Sequence, residues 1–294
     1  MALLHRLRVL IVFVATVYAV VSICRGQEAN TTAVQAKAFF DNGTARVAQG
    51  DYQGAIDDFS RAIEIEPKNP VVYAARGNAR TNLGELDDAI ADFSKAIEID
   101  PARRVPYINR GVAKVDKGDL EGAITDYSKA ITLDPKNVTA YRNRGCARQQ
   151  KGDVDGARTD YQQAIQLASD EGAYQRFYLF LLGARQKPGP SLADMKSTVS
   201  RWKTSWKKNI GLFLAGEIDE AALHELAAQG SPKSVREQKC EAFYYAGAMH
   251  LSKGDAGMAR SLFERCVATQ LHTFPEFQLA RAELANIGQG VKQK

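Results

Sequence analysis

The chain has little of what catalytic chemistry uses. Its 294 residues include only four histidines and four cysteines. His5 lies in the N-terminal segment, and His224 and His272 have no second histidine or cysteine at metal-ligand spacing. His250 sits in a sequence slot that holds Arg80 and Arg148 elsewhere, so its reading is structural. There is no G-x-S-x-G, no G-x-x-x-x-G-K-[ST] and no H-E-x-x-H. The sequence thus gives no catalytic set, metal or cofactor to predict. Cysteine is equally sparse. If the first 26 residues are removed, Cys146, Cys240 and Cys266 remain, an odd set that makes no disulfide framework. They read as small buried residues.

Charge of one sign is lacking too. The net charge of +5 includes Arg6, Arg8 and Arg25 of an acid-free N-terminus. Without these three, 36 basic side chains face 34 acidic ones, a balance that does not point to nucleic acid. The apolar run Val9–Ile23 is 15 residues, short of the roughly 20 that span a bilayer. With a basic start before it, the segment 1–26 reads as a cleaved signal peptide, cut after Gly26. The expected location is therefore the bacterial periplasm or cell envelope. Lipid attachment at Cys24 is the alternative, but that processing prefers a small preceding residue and Ile23 is large.

What the chain has in abundance is repetition. Gly43, Gly77, Gly111 and Gly145 stand 34 residues apart. The same period carries Gly50, Gly84, Gly118 and Gly152, then Ala55, Ala89, Ala123 and Ala157. It continues through the aromatic slot Phe59, Phe93, Tyr127 and Tyr161, and through Pro67, Pro101 and Pro135, with Ser169 in the fourth position. A repeat of this length is one supersecondary unit that cannot bury its apolar face alone, so stacking must create the core. Four repeats are expected at 36–69, 70–103, 104–137 and 138–171, after a leader at 27–35. In the third, a helix from Val105 to Asp116 meets a turn at Gly118-Asp119 and a second helix that runs to Leu133. Glycine suits the left-handed turn position, and aspartate suits the N-cap. Register is lost over 172–239, although helices are expected at 173–184, 192–203, 206–214 and 220–228. The pattern returns at 240–273 through Phe243, Gly247, Gly254, Ala259, Phe263 and Cys266. A capping helix is expected in 274–294, over the open end of the stack.

The segments Y-x-N-R-G-x-A (Tyr107–Ala113) and G-D-L-x-G-A-I-x-D-Y-x-x-A-I-x-L-D-P (Gly118–Pro135) resemble tetratricopeptide repeats. That resemblance implies an all-α, right-handed superhelix of antiparallel helix pairs with a concave groove lined by the first helices. The C-terminal half (Trp206–Leu223, Lys239–Gly247, Leu251–Asp255, Phe274–Leu284) is similar to the NlpI-type lipoproteins of Gram-negative envelopes. What that family implies is a non-catalytic adaptor, often a homodimer, that brings cell-wall hydrolases and a periplasmic protease together, with outer-membrane association through a lipidated cysteine. A fixed assembly part of an outer-membrane or secretion complex is the alternative function.

The groove is expected to present Phe40, Asp41 and Thr44, then Ala74, Asn78 and Asn82. Ile108, Asn109, Val112 and Asp116 follow, then Arg142, Asn143, Cys146 and Gln150. Amides both donate and accept, which suits other proteins or extended peptides as partners. A two-lysine clamp for a carboxylate is not expected, because Ala74 stands where a lysine belongs. Arg76, Arg110 and Arg144, with Arg46, Arg80, Lys114 and Arg148 a turn later, share the 34-residue period with Asp58, Asp92, Asp126 and Asp160. Both signs on one period predict a ladder of ion pairs, with an anion-binding stripe as the functional alternative. Trp202 and Trp206 lie among basic residues, and are read as core with a membrane or glycan contact as the alternative.

Overall fold

The computed structural model describes residues 32–168, 172–185, 192–203, 205–272 and 274–292. The segment 1–26 with Cys24, the Lys187–Pro190 break and Ser169 lie outside them. Among the described residues there are fifteen α-helices and no strand. They fall into two compact units, one ending at Asp100 and the other beginning at Pro101.

The first unit holds α1 (32–49), α2 (Tyr52–Ile65), α3 (Pro70–Leu83) and α4 (Leu86–Ile99). Each pair turns on a glycine, Gly50 at φ 81° and Gly84 at φ 83°, in the left-handed region that side chains disfavour. Asp51 caps α2 by accepting from the Gly54 amide at 2.9 Å. Asn69 caps α3, with Pro70 in the first turn where its missing N–H costs nothing. The core of this unit is Ala55, Ile56, Phe59, Ala62, Val72 and Ala79.

The second unit begins with the same device twice. It runs α5 (Arg104–Lys117), α6 (Leu120–Leu133), α7 (Val138–Lys151) and α8 (Val154–Leu167). Gly118 is left-handed at φ 90°, and the Asp119 amide closes on the Lys114 carbonyl at 2.8 Å. The Asp119 side chain then caps α6 through the Gly122 amide. Gly111 serves a different purpose. A Cβ there would lie 2.6 Å from Cε1 of Tyr127, so only glycine lets the ring lie against α5. The same fit recurs at Gly145 with Tyr161 and at Gly247 with Phe263. The spacing glycine–aromatic is therefore a packing rule written into the repeat.

Six further helices of the second unit are α9 (Ala173–Arg185), α10 (Leu192–Ser200), α11 (Trp206–Leu214), α12 (Glu220–Leu226), α13 (Pro232–Ser252) and α14 (Ala256–Val267), and α15 (Pro275–Lys292) ends the fold. The helix expected over 192–203 stops at Ser200, where Arg201 and Trp202 turn back onto its last carbonyls. α13 begins eight residues before the returning repeat, because Ser231 and Pro232 supply a cap and a first turn upstream of it. The core also changes character here. Phe177, Tyr178, Tyr244, Tyr245, Phe263 and Phe277 pack together, with ring centroids 5.1–6.3 Å apart in several pairs.

α15 departs most from expectation. It packs on α14 and α13, as a cap would, and it also reaches back to α7 and α5. Its amphipathic face therefore covers the inner side of the early repeats of this unit as well as the last helix pair.

Candidate functional site

The recurrent charges are paired within each repeat. In the first unit, Arg76 and Arg80 of α3 both reach Asp92 of α4 at 2.7 Å, and Arg46 of α1 reaches Asp58 of α2 at 3.0 Å. In the second, Arg110 and Lys114 hold Asp126 at 2.6 and 2.8 Å, and Arg144 and Arg148 hold Asp160 at 2.7 and 2.8 Å. Arg144 is bidentate. Its Nε and one terminal nitrogen donate to the two carboxylate oxygens, while the other terminal nitrogen donates to Ser128 of the preceding repeat at 3.0 Å. Its guanidinium also lies 5.6 Å from the Tyr141 ring centroid. Asp126 is 2% exposed and Asp160 1%. A carboxylate so deeply buried needs its cations, since removing one side of a buried pair costs roughly 3–5 kcal/mol. The stripe of basic residues is thus committed to carboxylates one helix away. It forms the ion-pair ladder, in which Arg46 is the most exposed member.

The expected groove residues divide sharply between the units. In the first, Phe40 is half-buried, with its ring 5.7 Å from Phe59, so it serves the core. Asp41 is exposed and accepts from Lys37 at 2.5 Å. Thr44 is exposed, its hydroxyl donating to the Phe40 carbonyl at 2.9 Å. Ala74 is half-buried, whereas Asn78 and Asn82 are exposed one turn apart on α3. The Asn82 side-chain nitrogen donates to the Asn78 backbone carbonyl at 2.8 Å.

In the second unit the corresponding surface is covered. Asp116 is buried, and its carboxylate accepts from Gln278 at 2.7 Å and Arg281 at 2.8 Å, both on α15. Burial raises the pKa of Asp116, while Gln278 and Arg281 pull the other way. It is therefore not a group presented to solvent. Ile108 and Val112 are half-buried against Val115, Ala123, Tyr127 and Ala147. Val112, Asn143, Cys146 and Gln150 line a cavity whose opposite wall is Pro275 and Gln278 of α15. Its space of about 20 Å³ is enough for roughly one water molecule. Cys146 is buried with the Tyr161 hydroxyl 3.4 Å from its sulfur, and burial pushes its thiol up to about 12. Asn109 and Arg142 are half-buried. Burial alone would lower the Arg142 pKa, but Tyr178 and Glu276, with Cys146 and Tyr245, outweigh it and raise it.

Gln278, Arg281 and Glu276 were not legible as site residues. Arg281 and Asp116 are 165 residues apart, and nothing in either segment names the other. Glu276 accepts from the Tyr178 and Tyr245 hydroxyls, at 2.5 and 3.0 Å. Trp202 and Trp206 are not on one helix, because α10 ends at Ser200 and α11 begins at Trp206. Trp202 packs edge-on to Phe177, and the Trp206 indole donates to Glu241 at 2.7 Å. Both are core residues. His250 lies between Glu220 at 2.8 Å and Asp255 at 3.1 Å, in keeping with a structural role.

A family model described as "TPR repeat" matches residues 43–84 and 111–152. Two models described as "Tetratricopeptide repeat" match residues 70–102 and 138–171. No curated protein matches the chain. Among solved structures, the chain is similar to MamA at 16% identity, covering 80% of this chain and 91% of that one with a TM-score of 0.44. It is similar to the second TPR domain of human RPAP3, solved in complex with an HSP70 peptide, at 25% identity, with 41% and 98% covered and a TM-score of 0.38. The Sgt2 TPR domain from Aspergillus fumigatus is 24% identical, with 41% and 82% covered and a TM-score of 0.40. The glycine–aromatic fit, the left-handed turns and the family models agree that residues 43–102 and 111–171 are tetratricopeptide repeats.

Proposed function

We propose that the chain is a non-catalytic protein-interaction adaptor that binds an extended segment of another protein on the exposed side of α1 and α3. One observation carries this reading. Asp41, Thr44, Asn78 and Asn82 are exposed there, whereas the matching surface of α5 and α7 is covered by α15. Two exposed amides one turn apart on α3 suit the alternating N–H and C=O groups of an extended backbone, since an amide both donates and accepts. No helix of the described residues is long and apolar enough to cross a membrane. The similarity of the C-terminal half to NlpI-type proteins, with the segment 1–26 read as an export signal, supports an envelope location and envelope partners, cell-wall hydrolases and a protease among them. Holding two such partners on one scaffold would raise their effective concentration for each other.

The test is capture of envelope proteins by the full chain, read by mass spectrometry, beside an Asn78→Ala/Asn82→Ala variant. Recovery of soluble envelope enzymes, reduced about tenfold by the double variant, is the expected result; at 1.4 kcal/mol this is the loss of one to two hydrogen bonds. Equal capture by both proteins would remove α3 from the reading. Recovery only as a stoichiometric part of a membrane complex would favour a fixed assembly role instead.

A further inference from the structure

Two of the three described cysteines meet. Cys240 on α13 and Cys266 on α14 are both fully buried, and their sulfurs lie 3.4 Å apart. Both are thiols in this structure. They come from neighbouring helices of one hairpin, 26 residues apart in sequence, so the fold rather than the sequence brings them together. The Cys266 sulfur also lies 3.7 Å from the carbonyl oxygen of Glu276, at the first turn of α15. A disulfide needs the sulfurs at about 2.05 Å, so the pair is short of a bond by roughly 1.4 Å, a shift that side-chain rotation and a small helix adjustment can supply. Among the described residues no third cysteine, histidine or carboxylate joins them in a metal-binding group.

We infer that Cys240 and Cys266 form a reversible disulfide that staples α13 to α14 beneath α15. The co-reactant is a disulfide oxidant, such as glutathione disulfide. One cysteine loses its proton and attacks an oxidant sulfur, which breaks the oxidant's S–S bond and expels one thiolate. The second cysteine, deprotonated in turn, attacks the mixed disulfide and expels the other thiolate. Two protein thiols are oxidised to one disulfide, one oxidant disulfide is reduced to two thiols, and the two protons go to the released thiolates. Hydrogen bonding to Cys240, then burial, raises the Cys266 pKa, and neither sulfur is open to solvent, so exchange proceeds when the hairpin opens locally or while the chain folds. The inference stands apart from the binding surface on α1 and α3.

Full-length protein is equilibrated in glutathione buffers of graded ratio, quenched in acid, denatured, alkylated and digested with trypsin. The same is done with protein refolded from urea in those buffers, so that burial does not protect the pair. The expected product is peptide 240–253 joined to peptide 266–281, lighter than the two reduced peptides by two hydrogens and separated by reductant. The oxidised form should also unfold about 5–10 °C higher than the reduced form, since the bond closes a loop of a few tens of residues. Alkylation of both cysteines at every ratio after refolding overturns the inference. So does a bond that joins either of them to Cys146 or Cys24 in place of the other.

Discussion

At the scale of the residue, the most informative contact is a glycine against a ring. Gly111 has room for a hydrogen only, because a Cβ would lie 2.6 Å from the Tyr127 ring. Gly111→Ala should therefore push the ring or α5 aside and destabilise the second unit by about 1–3 kcal/mol, read as a lower urea midpoint. Gly257 is the control. It too lies in a helix, yet a Cβ there would meet nothing nearer than 3.8 Å, so Gly257→Ala should be neutral or stabilising by roughly 0.4–1 kcal/mol. A loss at Gly257 as large as that at Gly111 would show that the ring contact does not set the cost, since helix propensity alone favours alanine over glycine at both sites. This much was legible in sequence, since Gly111 and Tyr127 recur together on the 34-residue period. The arginine–aspartate ladder was legible for the same reason: both signs recur at fixed slots, and a helix hairpin has few ways to arrange them. How deeply the aspartates are buried was not legible, because burial depends on the neighbouring repeat.

At the scale of the element, α15 decides which surface is open. Gln278 and Arg281 are the donors to the buried Asp116 carboxylate. The double variant Gln278→Ala/Arg281→Ala should leave that carboxylate without them and cost about 2 kcal/mol, in the range for a buried acceptor that loses its partners. Hydrogen exchange should locate the effect. Amides of α15 are expected to exchange faster, with those of α6 unchanged. Unaltered exchange in α15 would show that its packing on α13 and α14 holds it without the Asp116 contacts. Sequence identified α15 as a capping helix, but its contact with Asp116 spans 165 residues and no local pattern encodes it.

At the scale of the whole molecule, the second unit hides ionisable groups in its aromatic core. Burial first, and then the charge of Glu276, push the Glu241 carboxyl up to about 8 from an ordinary 4.5. The folded chain keeps a proton there that the unfolded chain releases, so stability from this group is greatest at low pH. It declines as pH rises from about 4.5 towards 8 and is level above that. Glu241→Gln keeps an acceptor for the Trp206 and Tyr174 donors without a charge. Its urea midpoint should fall less steeply than the parent's over that window and exceed it at pH 9. Parallel curves for the two proteins would show that Glu241 does not carry the titration. The sequence by itself determined the repeat: helix lengths from proline and glycine placement, caps from aspartate, and glycine–aromatic pairs from one period. These follow because each is settled within about 34 residues of chain. Only the tertiary structure decided that Asp116 is covered by α15, that Cys240 meets Cys266, and that Glu241 is enclosed by Tyr174 and Trp206. Those outcomes depend on how large aromatic side chains close a core between distant helices, and packing of that kind has no periodic signature in the chain.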